Sequence, residues 1–190
     1  MKSTTLTTRL PTLMVIVAVT ALIGCKDELA SPDSTPRPEP TEPVVLQSGV
    51  NAYLVVTGAN EPVGSVLAVE ARIGSTDEDQ TPTAFVASLY YDHSRLEFLE
   101  SVDLSDGVLR FANPEAAPGM AKIAGAAANG LNTDSLFVAR MRVLESGYLD
   151  GLRLELRELG ILERDFADVA SDVYVSPNVV TSDSMVVRNP

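Results

Sequence analysis

The run Phe85-Val86-Ala87-Ser88-Leu89-Tyr90-Tyr91 decides the fold class. Phe85, Ala87, Leu89 and Tyr91 share one parity and Val86, Ser88 and Tyr90 the other, so an extended backbone buries the first set and presents the second. The same period of two recurs on either side. Leu67, Val69, Ala71 and Ile73 alternate with Ala68, Glu70 and Arg72; Phe137, Ala139, Met141 and Val143 alternate with Val138, Arg140 and Arg142; Leu152, Leu154 and Leu156 alternate with Arg153, Glu155 and Arg157. A helix would scatter those charges around its cylinder, whereas a strand gathers them on one face. Weaker strands are expected near 52–57, 96–104, 108–112, 120–128 and 172–176, separated by Asp106-Gly107, Pro118-Gly119, Asn129-Gly130 and Asp150-Gly151. About nine short strands with frequent turn signals predict an all-β, jelly-roll-like sandwich over residues 44–176. Its expected core holds Phe85, Leu89, Tyr91, Leu96, Phe98, Phe137, Met141, Leu154 and Leu156, without a disulfide. Residues 177–190 are expected to form a C-terminal tail or one further edge strand.

The N-terminus carries a different signal. Lys2 and Arg9 make a positive segment, Leu13 to Ile23 an apolar run too short for a comfortable membrane span, and Leu22-Ile23-Gly24-Cys25 follows directly. Those four residues resemble the bacterial lipobox, which implies removal of a signal peptide at 1–24 and lipidation of Cys25, the only cysteine. More than one acyl chain would give stable residence on a bacterial membrane. Residues 25–43 then read as the lipidated cysteine and a linker, with Pro32, Pro36, Pro38, Pro40 and Pro43 among polar residues. At about 3.1 Å per residue in polyproline II, such a linker holds a domain up to roughly 50 Å from the lipid. By resemblance to enteric lipoproteins, Lys26 favours the outer membrane or cell surface as the location.

Charge excludes some partners. The chain has 14 Lys and Arg against 26 Asp and Glu, and loss of Lys2 and Arg9 moves its net charge from -12 to -14. Such a field repels phosphate backbones and anionic headgroups, so no nucleic acid is expected and the lipid on Cys25 is the only expected contact with a membrane.

Leu89-Tyr90-Tyr91-Asp92-His93-Ser94-Arg95-Leu96-Glu97-Phe98 resembles the L-x-Y-D-P-x-x-L-x-F stretch of cohesin domains and of related carbohydrate-binding modules, with His93 in place of the usual proline. Leu136 to Val143 resembles the penultimate core strand of the same family, and the likeness covers about residues 45–176. The resemblance implies a non-catalytic sandwich that binds a dockerin-like or other exported protein through one sheet face, or else a module that holds polysaccharide at the cell surface. Residue by residue, the same stretch is also a turn: Asp92 can accept from a backbone N–H while Leu96 and Phe98 return to the core.

No catalytic constellation is expected. Asp92, His93 and Ser94 are triad residue types, but sequence neighbours point their side chains apart, and His93 is the only histidine. No cofactor is expected either. Asp77, Glu78 and Asp79, and separately Glu163, Asp165, Asp168 and Asp172, could hold a hard cation such as calcium only if folding converged their carboxylates, since neither has EF-hand spacing. A sugar platform needs outward flat rings, for which Tyr53, Tyr90, Tyr148 and Tyr174 are the candidates in a chain without Trp. The run Ala121-Lys122-Ile123-Ala124-Gly125-Ala126-Ala127-Ala128 places poor strand formers where a strand is expected, either for tight sheet packing or for close approach of a partner. Outward parity nominates Val86, Ser88, Tyr90, Lys122 and Ala124 as the binding face, with Tyr90 at its centre, provided that the strands 84–91 and 120–127 are neighbours.

Overall fold

The computed structural model describes residues 45–76, 80–131, 134–182 and the backbone of 187–188. Cys25, the signal segment, the linker and the acidic run Asp77, Glu78 and Asp79 lie outside the described residues.

The strands are β1 (Val45–Leu46), β2 (Val50–Thr57), β3 (Val66–Ser75), β4 (Pro82–Tyr90), β5 (Leu96–Ser101), β6 (Leu109–Ala117), β7 (Met120–Ala126), β8 (Ser135–Val143), β9 (Arg153–Ile161), β10 (Tyr174–Thr181) and β11 (Val187–Arg188). A five-stranded sheet in the order β10-β2-β3-β8-β5 faces a four-stranded sheet in the order β6-β7-β4-β9, and β1 pairs with β11 beside them. The contacts within the two main sheets are antiparallel except that β10 runs parallel to β2. The expected sandwich is therefore the observed one, and β10 carries the larger sheet to Thr181.

Parity works as the sequence implies. Val69, Ala71, Phe85, Ala87, Leu89, Phe137, Ala139 and Met141 are sealed from solvent, and inward residues of both sheets make one core. All nine expected interior residues belong to that core or, for Tyr91 and Phe98, pack against it half-buried. The strand β9 departs from simple alternation. Leu154 and Leu156 face inward, yet so do Leu159 and Ile161, which have the opposite parity. A register shift against β4 between Val86 and Ala87 absorbs the extra residue, as a β-bulge does.

Prolines mark the sheet margins. Pro82 begins β4, while Pro114 and Pro177 sit inside the edge strands β6 and β10 where their pairing shifts register. A residue without an N–H is tolerated at such places and not in a central strand. The Asp92 turn forms as read: Oδ1 accepts from Ser94 N at 2.9 Å and from its hydroxyl at 2.6 Å, and the Asp92 carbonyl accepts from Leu96 N at 2.8 Å. These bonds hold the Asp92 carboxyl below the ordinary carboxylate range.

The two outer faces and the candidate binding surface

A sandwich buries one face of each sheet and leaves two others to be disposed of. On the five-stranded sheet the outward residues of β3, β8 and β5 are charged and paired. Arg140 meets Glu100 at 2.9 Å, Arg142 meets Glu97 at 2.8 Å, and Arg72 meets Glu70 at 2.8 Å. Further along, outward Tyr53 and Val55 of β2 form a small second core with Leu46 and Val180. One part of this face is thus a solvated ion-pair ladder, and the other is covered by the chain's own β1.

The outer face of the four-stranded sheet is organised otherwise. β4 pairs with β7 on one side and β9 on the other, so the neighbour relation needed for the expected face holds. Registers define rows across it. Leu109, Ala126, Ala84 and Gly160 make the first row, and Phe111, Ala124, Val86 and Glu158 the second. Asn113, Lys122, Ser88 and Glu155 make the third, and Met120, Tyr90 and Arg153 continue into a fourth. The first two rows are nearly apolar; the last two are polar.

The polar half is self-engaged. The Tyr90 hydroxyl donates to Glu155 Oε2, and the Arg153 guanidinium lies 4.1 Å from the centre of the Tyr90 ring. That hydroxyl, with Arg157 and Arg153 nearby, keeps the Glu155 carboxyl below its ordinary range. Lys122 is exposed, while Val86, Ala124 and Tyr90 are half-buried. Ser88 has the outward parity expected of it but is fully buried, which corrects its place as an accessible residue. A small side chain on a central strand, between Lys122 and Glu155 in its row, sits below the level of its neighbours, and its hydroxyl has no hydrogen-bond partner among the described residues.

The apolar half is a shallow trough of about 350 Å³. Its floor is Ala84, Val86, Ala124 and Ala126; Leu109 and Phe111 on edge strand β6 wall one side, and Phe166 with Glu158 stands on the other. Leu109, Phe111 and Phe166 are 68%, 73% and 59% exposed, at the upper end for apolar side chains of this protein. The Ala-Gly run serves tight sheet packing, since inward Gly125 leaves room for the Phe85 ring, which a Cβ there would overlap, and its outward alanines floor the trough.

Phe166 is held out at a cost. Asp165 and Phe166 both adopt left-handed backbone, at φ 54° and 62°. Such residues each cost of order 1–3 kcal/mol and persist only where surroundings over-determine them. Here Phe166 N donates to the Ile161 carbonyl at 3.0 Å, Thr81 donates to Glu163 through its N–H and hydroxyl, and Asp168 Oδ1 accepts from Leu159 N and Ala170 N, both at 2.9 Å. Those two N–H groups hold the Asp168 carboxyl below its ordinary range. Glu163 and Asp168 are thus engaged in loop geometry, Asp172 lies 3.8 Å from Arg164, and no set of three potential metal ligands converges among the described residues.

The other wall is tied down as well. Arg110, on β6 between Leu109 and Phe111, points the opposite way and donates to the Leu136 carbonyl of β8 at 2.6 Å and to both Asp106 carboxylate oxygens at 2.6 and 2.7 Å. That pair lowers Asp106 to about 2.

The second type II cohesin module of the adaptor ScaA scaffoldin from Acetivibrio cellulolyticus superposes with a TM-score of 0.52 at 9% identity, covering 76% of this chain and 95% of that one. The sixth cohesin of scaffoldin B from the same organism, solved in complex with a dockerin, gives 0.50 at 16%, covering 70% and 98%. A cohesin module from a family 33 glycoside hydrolase of Clostridium perfringens gives 0.50 at 15%, covering 72% and 100%. The fold is that of a cohesin module. No protein-family model matches the chain, and no curated protein does.

Within this cohesin fold, two tyrosines nominated as surface rings are interior. Tyr53 belongs to the second core, and Tyr148 is 5% exposed with its hydroxyl donating to the Ala59 carbonyl at 2.6 Å. Tyr174 is half-buried on β10, in the other sheet, and His93 is exposed in its turn. Sequence reading overlooked Leu109, Phe111, Phe166 and Glu158. The exposed pair on the weak strand 108–112 left a trace, since Leu109 and Phe111 share a parity; Phe166 left none.

Proposed function

We infer that this domain is a non-catalytic protein-recognition module, presented on a lipid anchor at Cys25 and a proline-rich linker, that binds an exported, dockerin-like protein through the outer face of its four-stranded sheet. The observation that carries the reading is the contrast between the faces: one is closed by ion pairs and a covering strand, the other keeps Lys122 and an apolar trough open beside the half-buried Tyr90. The cohesin fold supports it, because cohesin modules are binding domains and one of the structures compared holds a dockerin. Exposed rings bordering a small-residue sheet face are what interface anchors are made of. A polysaccharide ligand is less well served, because Arg153 already stacks on the ring of Tyr90.

The test uses the chain with Cys25→Ser as bait, beside a polysaccharide pull-down. A dockerin-like protein should be captured, and Tyr90→Ala should weaken capture by about 1–3 kcal/mol with the melting temperature nearly unchanged. Selective retention of polysaccharide instead would refute the protein reading. For the anchor, wild type should partition into detergent and Cys25→Ser should not; a wild-type N-terminus other than acylated Cys25 would remove it.

A further inference from the structure

The recognition face is itself divided, and its two halves are in different states. Tyr90, Glu155 and Arg153 already satisfy one another. The trough half has three exposed apolar side chains, a small-residue floor and two acids, Glu158 and Asp168, with no Lys, Arg or His among its lining residues. Glu158 makes no ion pair among the described residues, in contrast to Glu70, Glu97, Glu100 and Glu155. Two exposed phenyl rings, one of them (Phe166) held at the cost of left-handed backbone, beside a carboxylate without an ion pair are unfavourable for the isolated domain and useful only when something covers them.

We propose that this trough is the primary anchor point of the face and that it receives an apolar segment of the partner protein carrying an adjacent Lys or Arg, clamped between Phe111 and Phe166 with its cation at Glu158. The proposal rests on the protein-recognition reading above and adds the chemistry of the partner. Charge selects this occupant. A second copy would bring another trough edged by Glu158 and Asp168 from a chain of net charge -12, placing like charges together. An anionic lipid surface meets the same repulsion. A basic apolar segment gains burial of the rings and a partner for Glu158, and the apolar surroundings strengthen that pair relative to one in open solvent. A volume of about 350 Å³ is at the small end for binding cavities and suits a few side chains of a larger partner.

A display library of random peptides, selected on the Cys25→Ser chain, tests it. Enriched peptides should carry an aliphatic or aromatic anchor next to Lys or Arg. Phe111→Ser and Phe166→Ser should each weaken their binding at least tenfold by fluorescence anisotropy. Glu158→Gln should weaken it several-fold, Glu158→Lys more, and the Glu158 effect should shrink in high salt. Arg140→Ala with Arg142→Ala, on the opposite face, should change nothing. Absence of enriched peptides, enrichment of acidic ones, or binding indifferent to both phenylalanines overturns the proposal. If binding falls with Tyr90→Ala and not with the phenylalanine variants, the trough is wrong while the face stands; if no variant on this face matters, the protein-recognition reading fails too. Dimerisation by sedimentation, or binding to phosphatidylcholine–phosphatidylglycerol vesicles, that is lost with Phe111→Ser would name a different occupant and equally overturn it.

Discussion

The outer faces of the two sheets start from the same strand periodicity and reach opposite chemistry. On the five-stranded sheet, outward positions of β3, β8 and β5 hold Glu70, Arg72, Arg140, Arg142, Glu97 and Glu100, whose cross-strand and along-strand pairs satisfy the charges in place. On the four-stranded sheet, outward positions of β4 and β7 hold Ala84, Val86, Ala124 and Ala126, and the neighbouring edge strand adds exposed Leu109 and Phe111. Exposed ion pairs contribute little stability, so the first face is chiefly a solubility device. The second is costly in water and is economical only if it is covered in use. Position in the sandwich does not distinguish them; the residues at outward parity do.

Both faces rest on one core, and the largest effect expected of any substitution tests that premise. Phe137, on β8 and fully buried, should cost about 3–5 kcal/mol on truncation to Ala in chemical denaturation. Amide exchange should accelerate in β3 and β4 together; acceleration confined to one sheet would mean the faces belong to separable units. Gly125→Val attacks the trough floor from beneath, by driving a side chain into the Phe85 ring, and overpacking of this kind costs about 1–3 kcal/mol. Phe85→Leu should partly restore stability in that background, an outcome that no surface role for Gly125 would give.

The wall of the trough sharpens the comparison differently, because Arg110 fastens β6 to β8 of the other sheet. Arg110→Met should cost about 1–3 kcal/mol, as loss of hydrogen bonds to a charged group does. The pair also fixes an acid dependence. Asp106 is lowered from 3.8 in the unfolded chain to about 2 in the folded one, so its contribution is full above the unfolded value and disappears as pH falls through about 2. Urea midpoints followed from pH 5 downward should fall more steeply in wild type than in Arg110→Met, in which the other lowered carboxyls still titrate. The smallest effect belongs to the ladder: Arg140→Ala with Arg142→Ala should change stability by about 1 kcal/mol or less, and a larger loss would make that face structural and not merely solvated.

How much of this was legible follows from the reach of each signal. Alternation is local, so the burial of Phe85, Leu89, Phe137 and Met141 could be read from the chain, as could the Asp92 turn, whose donors come from within four residues. Parity also named Val86, Tyr90, Lys122 and Ala124 as facing outward, but parity does not measure depth, and Ser88 shows the difference. Its direction was right and its accessibility was not, because burial depends on the size of Lys122 and Glu155 on other strands. The bulge in β9 was invisible for a similar reason: Leu159 and Ile161 look outward until the register with β4 is known.

By itself, then, the sequence determined the sandwich, its core, its acidic charge and the lipobox-like segment ending in Cys25, since each rests on composition or on spacing within one short stretch. Only the tertiary structure decided where the open surface lies. Phe111, Ala124, Val86 and Glu158 come from four strands and share a row through hydrogen-bond register alone, while Phe166 joins them because a loop closed by Thr81, Ile161 and Leu159 forces it outward. Contacts between residues tens of positions apart follow from how strands are ordered in a sheet, and that order is set by the packing of the whole core.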